Sequence, residues 1–530
     1  MSVSELLSYI LDKLFSKRAL RYIKSTWAHE IKRKRNYKTI KEFFNESSKT
    51  DFYIDDITWQ DLNMNKVYEK LDRTLSTCGE HILYNILRNP LFDINKLHSR
   101  NNIIKTFQKN EPIREKIQLL LYKLGRTNSD ITSVLYNDLE EKPSSKLLCN
   151  IFALLFTGLI LVSIVTRNGG FVFFLILLGF VNMFLHYKMS SFIKEQIESV
   201  KYLGCLVNVS NKISKINAEE IAEYTNKLKA LSEQCIKIGK KSSIVGRVEG
   251  LDVFGDYISI MFLIQERNYF SMINEIEKHK QELIELYSTL GEIDATLSIA
   301  SYRENLDYYV EPSLINNGKI LEVEDIIHPL LEKPVSNSIK MHNSGIILTG
   351  SNMAGKSTFL RTLGVNALFA QTIYTCLAKS YAGSFFNIVT SIEPQDNIIK
   401  GKSYYLGEAE ALLRVVKASN NNIPCLTMVD EIFRGTNPTE RINAAAEIMD
   451  YLNKHNTLAA IATHDLILTK IVKGYDCYYF REHVNEDGLT FDYLIKEGIS
   501  PTRNAVRLLK LVGYPDEIIE RIENRIAQGT

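Results

Sequence analysis

Apolar positions along the chain fall into three patterns, and each predicts a different kind of element. Near the N-terminus Leu6, Leu7, Ile10, Leu11, Leu14 and Phe15 recur at helical spacing. Lys17 and Arg18 soon interrupt them, which predicts an amphipathic helix rather than a signal peptide. Helical spacing resumes from about Asp56 to Leu124, with breaks at Asn89-Pro90 and near Glu111-Pro112. The second pattern is unbroken: Leu147–Val165 and Phe171–Leu185 carry no charge and are separated by Thr166-Arg-Asn-Gly-Gly170. Each run approaches the ~20 residues that cross a bilayer, so the pair predicts a transmembrane helical hairpin. The competing expectation is a pair of buried helices in a soluble core. Beyond it, Ser271 to Leu290 carries Glu, Lys and Ile at helical spacing and predicts a long, largely exposed helix. Tyr308 to Lys340 leans toward strand and opens a new domain. From Ser344 the third pattern begins, with short apolar strands alternating with helical stretches. Gly345–Thr349, Cys425–Val429 and Leu458–Ala462 are the clearest strands. That alternation predicts a mostly parallel sheet covered by helices.

These patterns divide the chain into a basic N-terminal helical segment (1–55), a helical region (56–145), the hairpin (146–188), a second helical region (189–307) and an α/β domain (308–530). Lys142 and Lys146 precede the hairpin and Lys188 and Lys194 follow it, against Arg167 in its turn. This bias predicts a cell-membrane protein with both chain ends and the α/β domain in the cytoplasm.

Composition changes little in this picture. The 530 residues carry a formal net charge of +2, so total charge announces no nucleic-acid partner. The seven cysteines are scattered with no C-x-x-C pair, which predicts reduced thiols rather than a zinc site or disulfide framework. The basic run from Lys17 to Lys41, including Lys32-Arg-Lys-Arg35, reads as a lipid- or phosphate-binding arm or equally as a solvated helix face.

The chemistry is concentrated in the α/β domain. Gly350-Ser351-Asn352-Met353-Ala354-Gly355-Lys356-Ser357-Thr358 fits the G-x-x-x-x-G-K-[ST] phosphate loop and follows an apolar strand. Backbone N–H groups of such a loop and of the helix after it converge on a triphosphate. Gly350 and Gly355 permit the tight backbone, Lys356 reaches the β/γ-phosphates, and the Ser357 hydroxyl holds Mg²⁺. A second strand delivers Asp430 and Glu431 at its C-terminal end, where ligands of such sheets sit. Asp430 is the expected Mg²⁺ partner and Glu431 the group that polarises an attacking water. A third strand ends in His464, placed to meet the γ-phosphate or that water. Oxygen donors around a phosphate imply Mg²⁺ over zinc.

These residues resemble the MutS family of DNA mismatch-repair ATPases. The resemblance rests on Thr349–Thr358, with Asn352-Met353 inside the loop, on Asp430-Glu-Ile-Phe-Arg-Gly-Thr436, on Ala462-Thr-His464, and on Gly401-Lys-Ser403 with Glu408 downstream. His328-Pro329 resembles the segment that opens the family's nucleotide domain. The match is good over about Ile320 to Ile522 and fainter over Asp61 to Leu124. It implies an ABC-type P-loop ATPase domain at the C-terminus, preceded by an all-α core and lever region that the hairpin interrupts. It also implies ATP and Mg²⁺ as cofactors and a homodimer in which Ser403 contacts the γ-phosphate held by the partner. The segment Asn504–Ile526 resembles the family's dimer-stabilising end.

The chain departs from the family pattern as well. It reads as a short variant without the N-terminal domain that carries the family's mismatch-reading Phe-x-Glu element. Tyr404 replaces a small hydroxyl residue after Ser403, Asn437-Pro-Thr-Glu440 departs from the usual continuation, and Asp465 follows His464 where an aromatic is common. Three functions remain open on the sequence. One is a membrane-anchored ATPase coupled to double-stranded DNA. A second acts on a protein partner without DNA. The third is an ATP-gated scaffold, against which Lys356 and Glu431 both speak.

Overall fold

The computed structural model describes residues 3–139, 143–249, 252–316, 318–351, 354–393, 404–433, 437–485, 488–500, 506, 509 and 513–527. The chain forms two compact units. One comprises residues 1–48, 71–85 and 102–305; the other comprises 49–70, 86–101 and 306–530. Residues 49–70 and 86–101 therefore group with the C-terminal half, although their helical pattern runs on from that of their neighbours.

The first unit is helical. Its opening helix, Val3–Thr26, carries part of the basic run. Arg33 and Arg35, farther along that run, both reach the fully buried carboxylate of Asp72. Burial alone would raise the Asp72 pKa, but the two guanidinium groups outweigh it and hold the carboxyl below its usual range. Removing one partner from such a cluster costs about 3–5 kcal/mol. These two arginines are thus internal ion-pair partners rather than a loose arm. Helix Glu111–Leu124 begins as the sequence suggests: Asn110 accepts a hydrogen bond from the Ile113 N–H at 3.3 Å, and Pro112 occupies the first turn.

The expected single exposed helix over Ser271–Leu290 is corrected by the structure. Two helices, Ile264–Lys278 and Lys280–Glu304, meet at His279. Met272, Ile273, Ile276, Leu283, Leu286, Tyr287 and Leu290 are buried. Their apolar stripe occupies one face, and the Glu and Lys residues that suggested exposure occupy the others.

The two uncharged runs form helices Pro143–Thr166 and Gly169–Ile213, with Arg167 at φ 51° and the Asn168 side chain capping the second helix between them. Two stretches, Ser144–Thr166 and Gly169–Met189, are long and apolar enough to cross a membrane, with mean hydropathies of 2.5 and 2.0. Only 17% and 11% of these windows are buried within the protein.

The second unit holds two sheets. Strands β1 (Ser313–Ile315), β2 (Ile320–Ile326), β3 (Asn337–His342) and β5 (Ser380–Ser384) form a four-stranded sheet in the order β1-β5-β2-β3. The larger sheet contains β4 (Gly345–Thr349), β6 (Asn387–Ser391), β7 (Cys425–Asp430), β8 (Thr457–Ala462), β9 (Tyr475–Asn485) and β10 (Gly488–Glu497), ordered β10-β9-β4-β8-β7-β6. All its pairings are parallel except β9 with β10. β4, β7 and β8 are buried along their whole length, as expected for strands covered on both faces. Ile347, Val389, Val429 and Ile461 pack with Leu412 and Val415 of helix Tyr404–Ala418 and Met449 and Leu452 of helix Pro438–Lys454. The opposite face meets helix Lys356–Thr372, where a Cβ on Gly364 would lie 2.7 Å from the Met428 methyl.

Candidate functional site

Three adjacent parallel strands, β4, β8 and β7, end at the same edge of the sheet. Register places Leu348 opposite Ala462, and Ala462 opposite Asp430. The segments that follow these strands therefore bring their polar residues together, whatever their separation in sequence.

After β4 the chain turns sharply into helix Lys356–Thr372. Gly350 has φ 128°, and a Cβ there would lie 2.4 Å from the Phe480 carbonyl oxygen. Gly355, the residue before the helix, has φ 110°. Both positions need glycine for that backbone. Lys356 is almost wholly buried, and its Nζ donates to the carbonyls of Gly350 at 2.6 Å and Ser351 at 3.0 Å. The Ser357 Oγ donates to Asp430 Oδ2. Ala354 and Thr358 flank these residues, while Asn352, Met353 and Ser403 lie outside the described residues.

Beyond β7, Glu431 adopts the left-handed conformation, with φ 63°, and its N–H donates to the Ala462 carbonyl at 2.9 Å. Phe433 follows with φ 60°. Left-handed non-glycine residues cost about 1–3 kcal/mol each and persist where surrounding contacts enforce them. Here the turn aims Glu431 away from the sheet and toward His464. Glu431 Oε1 lies 3.1 Å from His464 Nε2, which is also 3.3 Å from Lys356 Nζ. One nitrogen cannot donate to the carboxylate and accept from the ammonium with the same lone pair, so the proton on Nε2 decides which contact is a hydrogen bond.

The structure also supplies residues that motif spacing missed. Asp465 forms a two-pronged pair with Arg441 of helix Pro438–Lys454, at 2.8 and 2.9 Å, and its N–H donates to Thr463 Oγ1 at 3.0 Å. This pair accounts for a carboxylate next to His464. Arg441 lies 24 residues away in sequence and leaves no local signal.

Beside the loop lies a cleft of about 350 Å³ whose walls include His328, Asn337, Ser357, Phe359, Phe480 and Tyr493. His328 is buried there, and burial, helped by the charges of Arg361 and Lys70, pushes its pKa down to about 4. Its Nδ1 accepts from the Leu330 N–H at 3.2 Å, while Nε2 has no partner among the described residues.

A helix outside the α/β pattern braces the sheet edge. The buried Asp61, at the end of helix Asp56–Asp61, accepts hydrogen bonds from Thr390 Oγ1 at 2.7 Å, Ile392 N at 2.9 Å and Glu393 N at 3.1 Å. Arg414 joins the same region, contacting Asp55, Thr58 Oγ1 and the Thr390 carbonyl.

The donor set suits Mg²⁺ with a nucleotide. A hydroxyl and a carboxylate oxygen meet beside a buried lysine at a helix N-terminus, where N–H groups lack intrahelical partners. Among the described residues no three His, Cys, Asp or Glu side chains gather as a self-sufficient metal cage.

Comparison with known proteins gives the same direction. Residues 346–528 match MutS domain V. DNA mismatch repair protein MutS of Thermotoga maritima is 29% identical over 268 residues, covering 49% of this chain and 33% of the relative. That of Methanosarcina mazei is 31% identical, over 48% of this chain and 30% of the relative. The Fusobacterium nucleatum protein of the same name is 25% identical over 85% of this chain and 56% of its own length. The chain thus spans about a third of the Thermotoga and Methanosarcina relatives. The likeness to MutS domain V thus lies in the C-terminal part of the chain, and a MutS relative aligns over as much as 85% of its length.

Proposed function

We propose that this protein is a membrane-anchored ATPase that binds and hydrolyses ATP as a homodimer, coupled to double-stranded DNA in a mismatch-repair-related role. One observation carries the proposal: Lys356, Ser357, Asp430, Glu431 and His464 converge at the ends of three adjacent strands.

In this reading Gly350–Thr358 forms a P-loop that wraps the phosphates, and Lys356 exchanges its loop carbonyls for phosphate oxygens. Ser357 and Asp430 hold Mg²⁺, whose chemistry is to neutralise phosphate charge. Glu431 orients the attacking water and accepts its proton, while His464 bridges that water and the γ-phosphate. The cleft lined by Phe359, Phe480 and Tyr493 is apolar enough for a nucleoside. Ser403 of the partner subunit completes the site, so Ser403→Ala should weaken ATP-linked dimerisation.

The two helices Ser144–Thr166 and Gly169–Met189 serve as the membrane anchor. Their low burial supports this, because a core helix of a soluble protein would be mostly covered. Both chain ends then face the cytoplasm, following the lysines that flank the hairpin.

A second reading keeps the ATPase and replaces DNA by a protein partner. The burial of Arg33 and Arg35 against Asp72 favours it, since those two charges are withdrawn from any phosphate backbone. ATP turnover of the purified chain, with and without matched and mismatched duplex across salt concentrations, separates the two. Stimulation that fades with salt supports DNA coupling. Turnover indifferent to every duplex overturns it in favour of a protein partner.

A further inference from the structure

Helix Asp252–Met261 ends in a turn at Phe262-Leu263, where Leu263 has φ 49°, and the chain re-enters a helix at Ile264. This turn is seated against the two long apolar helices. A Cβ on Gly179 would meet Met261 Sδ at 3.2 Å, and the Phe156 and Phe262 rings lie edge to face at 5.2 Å. Gly179 and Asn182 precede the Met189 end of the apolar stretch by ten and seven residues, about 15 and 10 Å along a helix.

We propose that the segment from Asp252 to Ile264 is a re-entrant element. Its tip enters the cytoplasmic half of the bilayer beside the hairpin and presents Tyr257 and Ile258 to lipid acyl chains. This rests on the anchor reading given above.

Backbone chemistry supports it. In hydrocarbon no water satisfies a turn's carbonyls, so the protein must. Here Ile258, Ile260 and Leu263 carbonyls accept from Phe262, Leu263 and Arg267 N–H groups at 3.0, 3.3 and 3.1 Å. The Met261 carbonyl accepts instead from Asn182 Nδ2 at 2.6 Å. Asn182 is fully buried in an otherwise apolar stretch. A buried amide is costly there; its Nδ2 closes the turn, while its Oδ1 has no partner among the described residues. A turn in water would not need it.

Surface chemistry agrees. Tyr257 and Ile258 are 61% and 46% exposed, and Phe180 and Ile176 of the hairpin are 61% and 56% exposed. An apolar groove of about 290 Å³, lined by Phe156, Ile176, Phe180, Met183 and Met261, runs where the turn meets the hairpin. Polar groups gather toward the Met189 end. Glu266 pairs with His186 at 2.6 Å, and Arg267 Nε donates to Asn150 Oδ1 at 2.9 Å. The exposed Asp256 lies five residues before Met261, about 8 Å back along its helix from the turn.

Tryptophan quenching by lipids brominated on their acyl chains tests the proposal. Tyr257→Trp and Ile258→Trp are made separately in the full chain, in phosphatidylcholine vesicles. Phe174→Trp reports the hairpin, and the parent chain supplies the background of Trp27 and Trp59. The added emission should fall by roughly half or more at Phe174→Trp and in both tip variants, as for aromatic rings at or below headgroup level. Quenching at Phe174→Trp with neither tip variant affected overturns the re-entrant element and leaves the anchor standing. Absence of quenching at all three sites overturns the anchor and this inference with it.

Discussion

The Ser357 hydroxyl donates to Asp430 Oδ2, joining the helix after β4 to the end of β7 across 73 residues of sequence. Two oxygens held this close make a ready site for one hard cation shared with phosphate. Ser357→Ala and Asp430→Asn should each raise the Mg²⁺ concentration for half-maximal ATP turnover by about tenfold or more, a change of at least about 1.4 kcal/mol. A magnesium titration of phosphate release measures this directly. Unchanged titration curves would remove the pair from metal binding.

Asp61 is buried and serves three donors at the end of β6, two of them backbone N–H groups. Asp61→Asn replaces one acceptor oxygen by an N–H₂ group that cannot accept from them. Leaving such donors unpaired costs about 1–3 kcal/mol. Equilibrium unfolding of the variant against wild type should show a loss of that size.

Much of this site was legible in the sequence because its parts are local. A glycine loop after Gly345–Thr349 and acidic residues after Cys425–Val429 each announce themselves within ten residues, and the structure places strands at both positions. The pairing of Asp61 with Thr390 was not legible, because a buried carboxylate carries no mark of its partner 329 residues away. Strands β9 and β10 were also missed. Tyr475–Asn485 and Gly488–Glu497 mix aromatic and charged residues without clean alternation, as suits strands toward a sheet edge. The separation of residues 49–70 from their helical neighbours is a matter of tertiary packing, which periodicity does not encode.

Arg441 and Asp465 form a partly exposed pair, with 24% and 22% of their side chains accessible. Solvent screening limits such a pair to about 1 kcal/mol. A double-mutant cycle with Arg441→Ala and Asp465→Ala should return a coupling of about 0.5–1 kcal/mol in stability. Coupling indistinguishable from zero would reduce the pair to a surface contact.

His328 gives a signed pH dependence. Its folded pKa of about 4 lies below the ordinary 6.5, so the unfolded chain binds its proton first as pH falls. The stability that neutral His328 allows is complete above pH 6.5 and is lost as pH falls toward 4. Relative to His328→Gln, wild type should lose up to about 3 kcal/mol across that window. Parallel unfolding curves for the two proteins between pH 7 and 4 would contradict this placement of the imidazole.

Glu431, turned toward His464 by its left-handed backbone, is proposed to activate water for ATP hydrolysis. Single-turnover phosphate release by wild type and Glu431→Gln, alongside their ATP affinity, measures this role. ATP binding should stay within a few-fold of wild type, and hydrolysis should slow by about 10²–10⁴-fold in the variant. Equal hydrolysis rates for the two proteins would contradict it.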